Sequence, residues 1–179
     1  MPEHSAELIR RTRNAIRDIP DFPRPGILFK DITPVLTDPQ LFRDIIDSFA
    51  RHQRDNSIDV VVGIESRGFI FGAPLALAIG AAFVPMRKPG KLPFEKVRID
   101  YALEYGNDSL EAHRDAIGHG QRTLVVDDLL ATGGTAAAAA RLVEQLGGTV
   151  AGVCFVVELA FLEGRGRLSS WPVDSLVVY

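Results

Sequence analysis

The residues best suited to chemistry lie in one segment, Val125-Val126-Asp127-Asp128-Leu129-Leu130-Ala131-Thr132-Gly133-Gly134-Thr135, where two carboxylates precede a small, hydroxyl-bearing glycine turn. Residues 124–126 read as a buried strand and residues 136–146 as a helix stopped by Gly147 and Gly148, which puts Thr132 to Thr135 at a helix N-terminus. First-turn N–H groups lack intrahelical partners, the helix dipole adds partial positive charge, and glycine lets the backbone close on a ligand, so such a turn binds phosphate. Thr132 and Thr135 add hydroxyl donors. The hard oxygens of Asp127 and Asp128 suit either a vicinal diol or a hydrated magnesium ion. Together these are the parts of a sugar-phosphate cradle, although two acids and two glycines also make an ordinary solvated turn before a capped helix.

Other reactive motifs fail on spacing. Gly90-Lys91 is followed by Leu92, and Pro85 stands where a Walker loop needs glycine. In Gly63-Ile64-Glu65-Ser66-Arg67-Gly68 the serine comes one place too late for a nucleophile elbow. The four histidines, His4, His52, His113 and His119, lack the spacing of a zinc helix and read as surface residues. Cys154 is the one cysteine, in a strand-like run where a small buried thiol is the expected role.

The elements that must position these residues alternate between helical and extended patterns, which points to an α/β domain with a largely parallel sheet. Residues 5–18 read as an amphipathic helix closed by Pro20, Pro23 and Pro25. A second helix takes Asp38 as its N-cap and Pro39 in its first turn, with Leu41, Phe42, Ile45, Ile46 and Phe49 inward. Strands are expected over 59–64, 82–86, 123–126 and 150–157, a buried crossover helix over 69–79, and a closing strand within 171–179. Residues 88–106 read as a long polar connection, which in a compact domain implies a lid.

Ligands of open α/β sheets gather beyond the carboxyl ends of the strands. Three loops converge there: Glu65-Ser66-Arg67-Gly68, Arg87-Lys88-Pro89-Gly90-Lys91, and the cradle. Arg67, Arg87, Lys88 and Lys91 would surround the cradle with positive charge suited to a diphosphate. Read alone, residues 87–91 are equally a solvated basic turn.

Composition sets wider limits. With 179 residues, 46% hydrophobic and 24% charged, the chain fits one compact domain, residues 1–179. A formal net charge of −3 argues against a general nucleic-acid binder. No apolar run reaches a membrane span, and residues 1–4 do not begin a secretory signal, so no membrane association and a cytoplasmic location are expected.

The cradle closely resembles the phosphoribosyl-pyrophosphate signature of the type I phosphoribosyltransferases, and its Leu-Leu-Ala-Thr-Gly-Gly-Thr form resembles the adenine-specific branch. The resemblance covers almost the whole chain. Asp21-Phe22-Pro23 with Pro25-Gly26-Ile27-Leu28-Phe29-Lys30-Asp31-Ile32 is similar to that family's N-terminal hood, Glu65-Ser66-Arg67-Gly68-Phe69 to its pyrophosphate loop, and residues 87–93 to its basic turn. Leu103-Glu104-Tyr105-Gly106 is similar to its lid end.

The resemblance implies a mostly parallel twisted sheet flanked by helices, a helix and hood over about residues 1–34, and a mobile lid over about residues 93–106. It implies transfer of the phosphoribosyl group from phosphoribosyl pyrophosphate to N9 of adenine, giving AMP and pyrophosphate. On that basis Asp127, Asp128, Ala131, Thr132, Gly133, Gly134 and Thr135 hold the phosphoribosyl group. Glu65, Ser66, Arg67, Arg87, Lys88 and Lys91 form the pyrophosphate site. Leu28, Phe29, Lys30 and Leu129 bind adenine, with Phe29 stacking on the ring as a flat aromatic can. Tyr101 and Tyr105 belong to the lid, and Glu104, with Asp127 and Asp128, is catalytic. Magnesium is implied as a cofactor held mainly through phosphoribosyl pyrophosphate, with no direct protein ligand, in a cytoplasmic homodimer.

Two other classes share the cradle. A phosphoribosyltransferase-like regulator would carry a DNA-binding module, for which the single helix over 5–18 is too little. Enzymes acting on oxopurines usually place a lysine after the cradle helix, and Val157-Glu158-Leu159 offers none. Ile99-Asp100 stands where relatives often carry small hydroxyl residues, so the lid departs from the family pattern more than the cradle does.

Overall fold

A computed structural model describes residues 4–103 and 106–179 of the chain. They form two compact units, Met1–His52 and Gln53–Tyr179.

In the smaller unit, helix α1 (Ala6–Ala15) is capped by Ser5, whose Oγ accepts from the Leu8 N–H at 3.2 Å. The helix stops earlier than its apolar spacing predicts. Ile16 turns extended, and β1 (Arg17–Pro20) pairs antiparallel with β2 (Leu28–Asp31), putting Asp18 opposite Lys30 and Ile19 opposite Phe29. Ile19 thus serves a period-2 strand rather than the last turn of a helix. A short helix α2 (Thr33–Thr37) precedes α3 (Pro39–Gln53). Asp38 caps α3 as its spacing predicts, accepting from the N–H groups of Gln40 and Leu41. Leu41, Ile45, Ile46 and Phe49 are buried, while Phe42 is half-buried. One histidine departs from expectation: His52 is buried, stacked on His4 at 4.0 Å between ring centroids.

The larger unit is built on a five-stranded parallel sheet in the order β4 (Ala82–Met86), β3 (Val60–Ile64), β7 (Arg122–Leu130), β8 (Thr149–Glu158) and β9 (Val173–Val178). Every residue of β3 is buried, the pattern of a central parallel strand covered on both faces. Helix α4 (Gly68–Ile79) covers one face. There Gly63 leaves no room for a side chain, since a Cβ would lie 2.8 Å from the Phe83 ring and 3.1 Å from the Phe69 ring. Helix α5 (Gly134–Gln145) covers the other, packing Ala136 to Ala139 and Leu142 in one cluster with Val60, Val62, Ile64, Val125 and Phe155. Small side chains let α5 approach the sheet closely.

The stretch that reads as a long polar connection is largely strand. β5 (Lys96–Leu103) pairs antiparallel with β6 (Gly106–His113), with Tyr101 opposite Asp108. Val97, Ile99 and Tyr101 are partly buried and pack on the α5 cluster, while Lys96, Arg98 and Asp100 face water. The alternation is a half-buried strand pattern, obscured in sequence by its charged half.

The chain leaves β3 toward β4 through α4, then returns to the other side of β3 and runs outward through β7, β8 and β9. Strand order therefore reverses between β3 and β7. A crevice opens at such a reversal, beyond the carboxyl ends of the two strands. No helix among the described residues is long and apolar enough to cross a membrane. One glycine ties this geometry together: a Cβ at Gly68 would lie 2.6 Å from the Val126 carbonyl oxygen, so α4 starts hard against β7. Gly68→Ala is expected to lower unfolding free energy by about 2 kcal/mol through overpacking against main chain, read from urea denaturation.

Candidate active site

The cradle occupies the carboxyl end of β7, on one side of the switch point. β7 extends through both acids to Leu130, further than the sequence pattern indicates. Helix α5 begins at Gly134, earlier than expected, and its N-cap Gly133 makes no side-chain hydrogen bond to the first turn, so that turn's N–H groups are oriented toward a ligand. Gly133 adopts φ +79°, and a Cβ there would strike the Gly164 carbonyl. Only glycine meets both demands. Arg67 and residues 127–136 line a cavity of about 270 Å³ that includes Leu129, Ala131, Thr132 and Thr135.

Across the crevice, Arg67 follows β3 and precedes α4, and its Nη1 lies 3.2 Å from Asp128 Oδ2. Asp128 is 3% exposed, and its Oδ2 accepts no hydrogen bond among the described residues. Asp127 Oδ1 accepts from the Asp128 N–H at 2.9 Å. Withdrawal from water lifts both carboxyls above their ordinary range, and for Asp127 the adjacent charge of Asp128 lifts it further; Arg67 opposes the shift at both. A hard oxygen that is ion-paired with a guanidinium but accepts no hydrogen bond among the described residues suits a ribose hydroxyl or water bound to magnesium.

The basic turn is organised around a carboxylate. The Glu65 carboxylate accepts from Arg87 Nη2 at 3.3 Å, from the Lys88 N–H at 2.9 Å and from Lys91 Nζ. Burial alone would raise the Glu65 carboxyl, yet Lys91, the Lys88 N–H and Arg87 outweigh it and hold the group at about 2. The Glu65–Ser66 peptide is cis, and Ser66 is exposed. Glu65, Arg87, Lys88 and Lys91 are therefore brought together, as are Arg67, Asp128 and the cradle.

Leu28, Phe29 and Lys30 lie on β2 of the smaller unit. Leu28 is half exposed, Phe29 meets Phe22 edge-to-face at 5.1 Å, and the buried Lys30 ammonium donates to Asp18 Oδ1 at 2.6 Å. Tyr101 of β5 receives a hydrogen bond from Lys88 Nζ at 2.9 Å. Glu104 and Tyr105, expected at the lid end, lie outside the described residues.

Two acids of β6 escaped the sequence reading. Asp108 accepts from Lys88 Nζ and lies 3.2 Å from Tyr101 Oη. Glu111, 4% exposed, accepts from the Gly90 N–H at 3.1 Å, while its main chain exchanges hydrogen bonds with Arg87 at 2.9 and 2.8 Å. The signal was present as a strand whose polar residues face a basic turn, but it requires pairing β6 with the extension of β4.

The phosphoribosyl transferase domain model matches residues 32–176 of the chain. Adenine phosphoribosyltransferase of Solibacter usitatus is 60% identical over 167 residues, covering 93% of this chain and 96% of the relative. The chain belongs to the adenine phosphoribosyltransferase family. The crystal structure of adenine phosphoribosyltransferase from Thermoanaerobacter pseudethanolicus matches with a TM-score of 0.93 at 51% identity, covering 96% of this chain and 99% of that one. The Saccharomyces cerevisiae adenine phosphoribosyltransferase, complexed with an imino-altritol bisphosphate and adenine, matches with a TM-score of 0.92 at 46% identity over 96% of this chain and 99% of that one. The five-stranded sheet with helices on both faces is thus the type I phosphoribosyltransferase fold, and the family is one of transferases.

Two measurements follow from the carboxyls. The folded state depresses Glu65, so its contribution to stability is present at neutral pH and is lost as pH falls from 4.5 toward about 2. The stability gap between wild type and Glu65→Gln should be widest at neutral pH and close over that window, as read by chemical denaturation. Asp127 has the opposite sign: the fold binds its proton more tightly than the unfolded chain does, so ionisation costs stability as pH rises. Asp127→Asn should raise Tm at about pH 7, with the gain vanishing at acid pH, while kcat/KM falls roughly 100-fold.

Proposed function

We propose that this protein transfers the 5-phosphoribosyl group of phosphoribosyl pyrophosphate to N9 of adenine, releasing AMP and pyrophosphate for purine salvage. The observation that carries the reading is the pairing of an uncapped helix N-terminus and two withdrawn carboxyls with four basic residues around one crevice. A sugar carrying phosphate at one end and diphosphate at the other fits that distribution of charge. The 5′-phosphate sits in the turn formed by Ala131, Thr132, Gly133, Gly134 and Thr135. Arg67, Arg87, Lys88 and Lys91 receive the diphosphate, with Glu65 and Ser66 shaping its loop.

Asp127 and Asp128 hold the ribose hydroxyls. Their negative charge, favoured once a cationic partner arrives, sits beside the anomeric carbon as it gains oxocarbenium character. Departure of the diphosphate runs ahead of attack by N9, with inversion at that carbon. Glu104 accepts the proton of the incoming base, and Phe29, with Leu28, Lys30 and Leu129, holds the purine. The segment over about residues 93–106, with Tyr101 and Tyr105, closes over the site and keeps water from the activated sugar.

The donor set fits magnesium held chiefly by the substrate: Asp128 Oδ2 is buried and accepts no hydrogen bond among the described residues, so it could receive water on such an ion. Magnesium bound with phosphoribosyl pyrophosphate supplies charge neutralisation at the leaving group. The working form is a homodimer in the cytoplasm; Ile70, Leu77 and Phe94 expose apolar surface on the larger unit for a second copy to cover.

The test is nucleotide formation from phosphoribosyl pyrophosphate with magnesium, offering adenine, hypoxanthine and guanine separately. AMP from adenine alone is expected, with Glu104→Ala slower by about 100-fold in kcat. Product chiefly from an oxopurine would contradict the base assignment, and none from any base would contradict the transferase reading.

A further inference from the structure

Each of the four basic residues assigned to the diphosphate is engaged by a carboxylate of the chain. Arg67 faces Asp128, and Arg87 and Lys91 meet Glu65. Lys88 alone takes its charge partner from the β5–β6 ribbon. Its main-chain N–H is fixed by Glu65, while its ammonium donates to both Asp108 and Tyr101. Tyr101 and Asp108 face each other across the ribbon and lie within 3.2 Å through Tyr101 Oη and Asp108 Oδ2. The Asp108 Oδ1 oxygen accepts from the Ser109 N–H at 2.7 Å, so the carboxylate is itself oriented.

We propose that Asp108 is the positioning residue for the diphosphate half of the site: it sets the Lys88 ammonium in its binding geometry, while Glu65 and Glu111 hold the main chain of the turn. This inference rests on the assignment of Lys88 to the diphosphate. A lysine has a flexible four-carbon stem and three donors. Two of those donors are spent on Asp108 and Tyr101, which leaves the third to an incoming phosphate oxygen. Held this way, the stem is already ordered before the ligand arrives, and the ordering does not have to be supplied by binding. One-third of the Lys88 side chain is exposed.

The rest of β6 supports the same role. Glu111 receives the Gly90 N–H, and its main chain pairs with Arg87 on both sides. Three of the five residues of the turn, Arg87, Lys88 and Gly90, thereby hang on two positions of one strand. Asp108 supplies the contact that fixes a side chain. Neutralising it leaves the turn's main chain in place and releases only the ammonium.

The experiment compares wild type, Asp108→Asn, Asp108→Glu and Tyr101→Phe for binding of pyrophosphate with magnesium by calorimetry, for KM and kcat with each substrate, and for Tm. Asp108→Asn should weaken pyrophosphate binding and raise KM for phosphoribosyl pyrophosphate about tenfold, with KM for adenine within about twofold and Tm near wild type. Asp108→Glu should restore most of the loss, and Tyr101→Phe should cost about threefold. In a Lys88→Ala background the Asp108→Asn effect should disappear. Unchanged or tighter pyrophosphate binding in Asp108→Asn would overturn the proposal. So would a loss that tracks Tm and is not rescued by Asp108→Glu. If Asp108→Asn fails to fold, Tyr101→Phe carries the same comparison. A wild type that binds pyrophosphate through Lys88 yet forms no AMP would overturn the catalytic reading while leaving the role of Asp108 standing.

Discussion

The site depends on charge held in place by opposite charge at the carboxyl edge of a parallel sheet. Glu65 is nearly buried, yet Lys91, Arg87 and the Lys88 N–H keep it ionised. Removing any one partner leaves a buried charge short of compensation, which costs more than the contact itself is worth. The same logic applies across the switch point, where Arg67 offsets the unfavourable burial of Asp127 and Asp128. A polyanion entering the crevice finds cations already oriented.

The sheet makes this arrangement available. Reversal of strand order between β3 and β7 brings the loop carrying Arg67 opposite the turn that starts α5. Close packing then fixes both: Gly68 permits α4 to begin against Val126, and Gly133 permits the turn to close against Gly164. The core lies behind the crevice rather than in it, with the alanines of α5 allowing a near approach to β3 and β7. Stability and chemistry are divided between the middle of the strands and their ends.

Much of this was legible in sequence because local signals agreed with tertiary placement. Asp38 followed by Pro39 read as a helix start and is one. The strand, acid pair, glycine turn and helix of residues 124–146 appear in that order, shifted only at their boundaries: the strand continues through the acids because Leu129 and Leu130 still pair with β8. The ribbon was less legible. Lys96, Arg98 and Asp100 made β5 look like a polar connection, although Val97, Ile99 and Tyr101 alternate with them and pack inward. Asp108 and Glu111 were invisible for a different reason: an acid in a polar strand acquires meaning only when a basic turn distant in sequence is paired beside it. Ile19 and His52 show the same limit, since burial decided by partners outside a local window overrides spacing within it.

Charge prearranged in this way should bind the sugar diphosphate whether or not a base is present. Calorimetric titration of phosphoribosyl pyrophosphate with magnesium into base-free protein tests it, with Arg67→Ala titrated in parallel. Saturable binding at one site per chain is expected in the wild type, with affinity weakened by at least about tenfold in Arg67→Ala. Absence of binding until adenine is added, or equal affinity in the two proteins, would contradict that expectation.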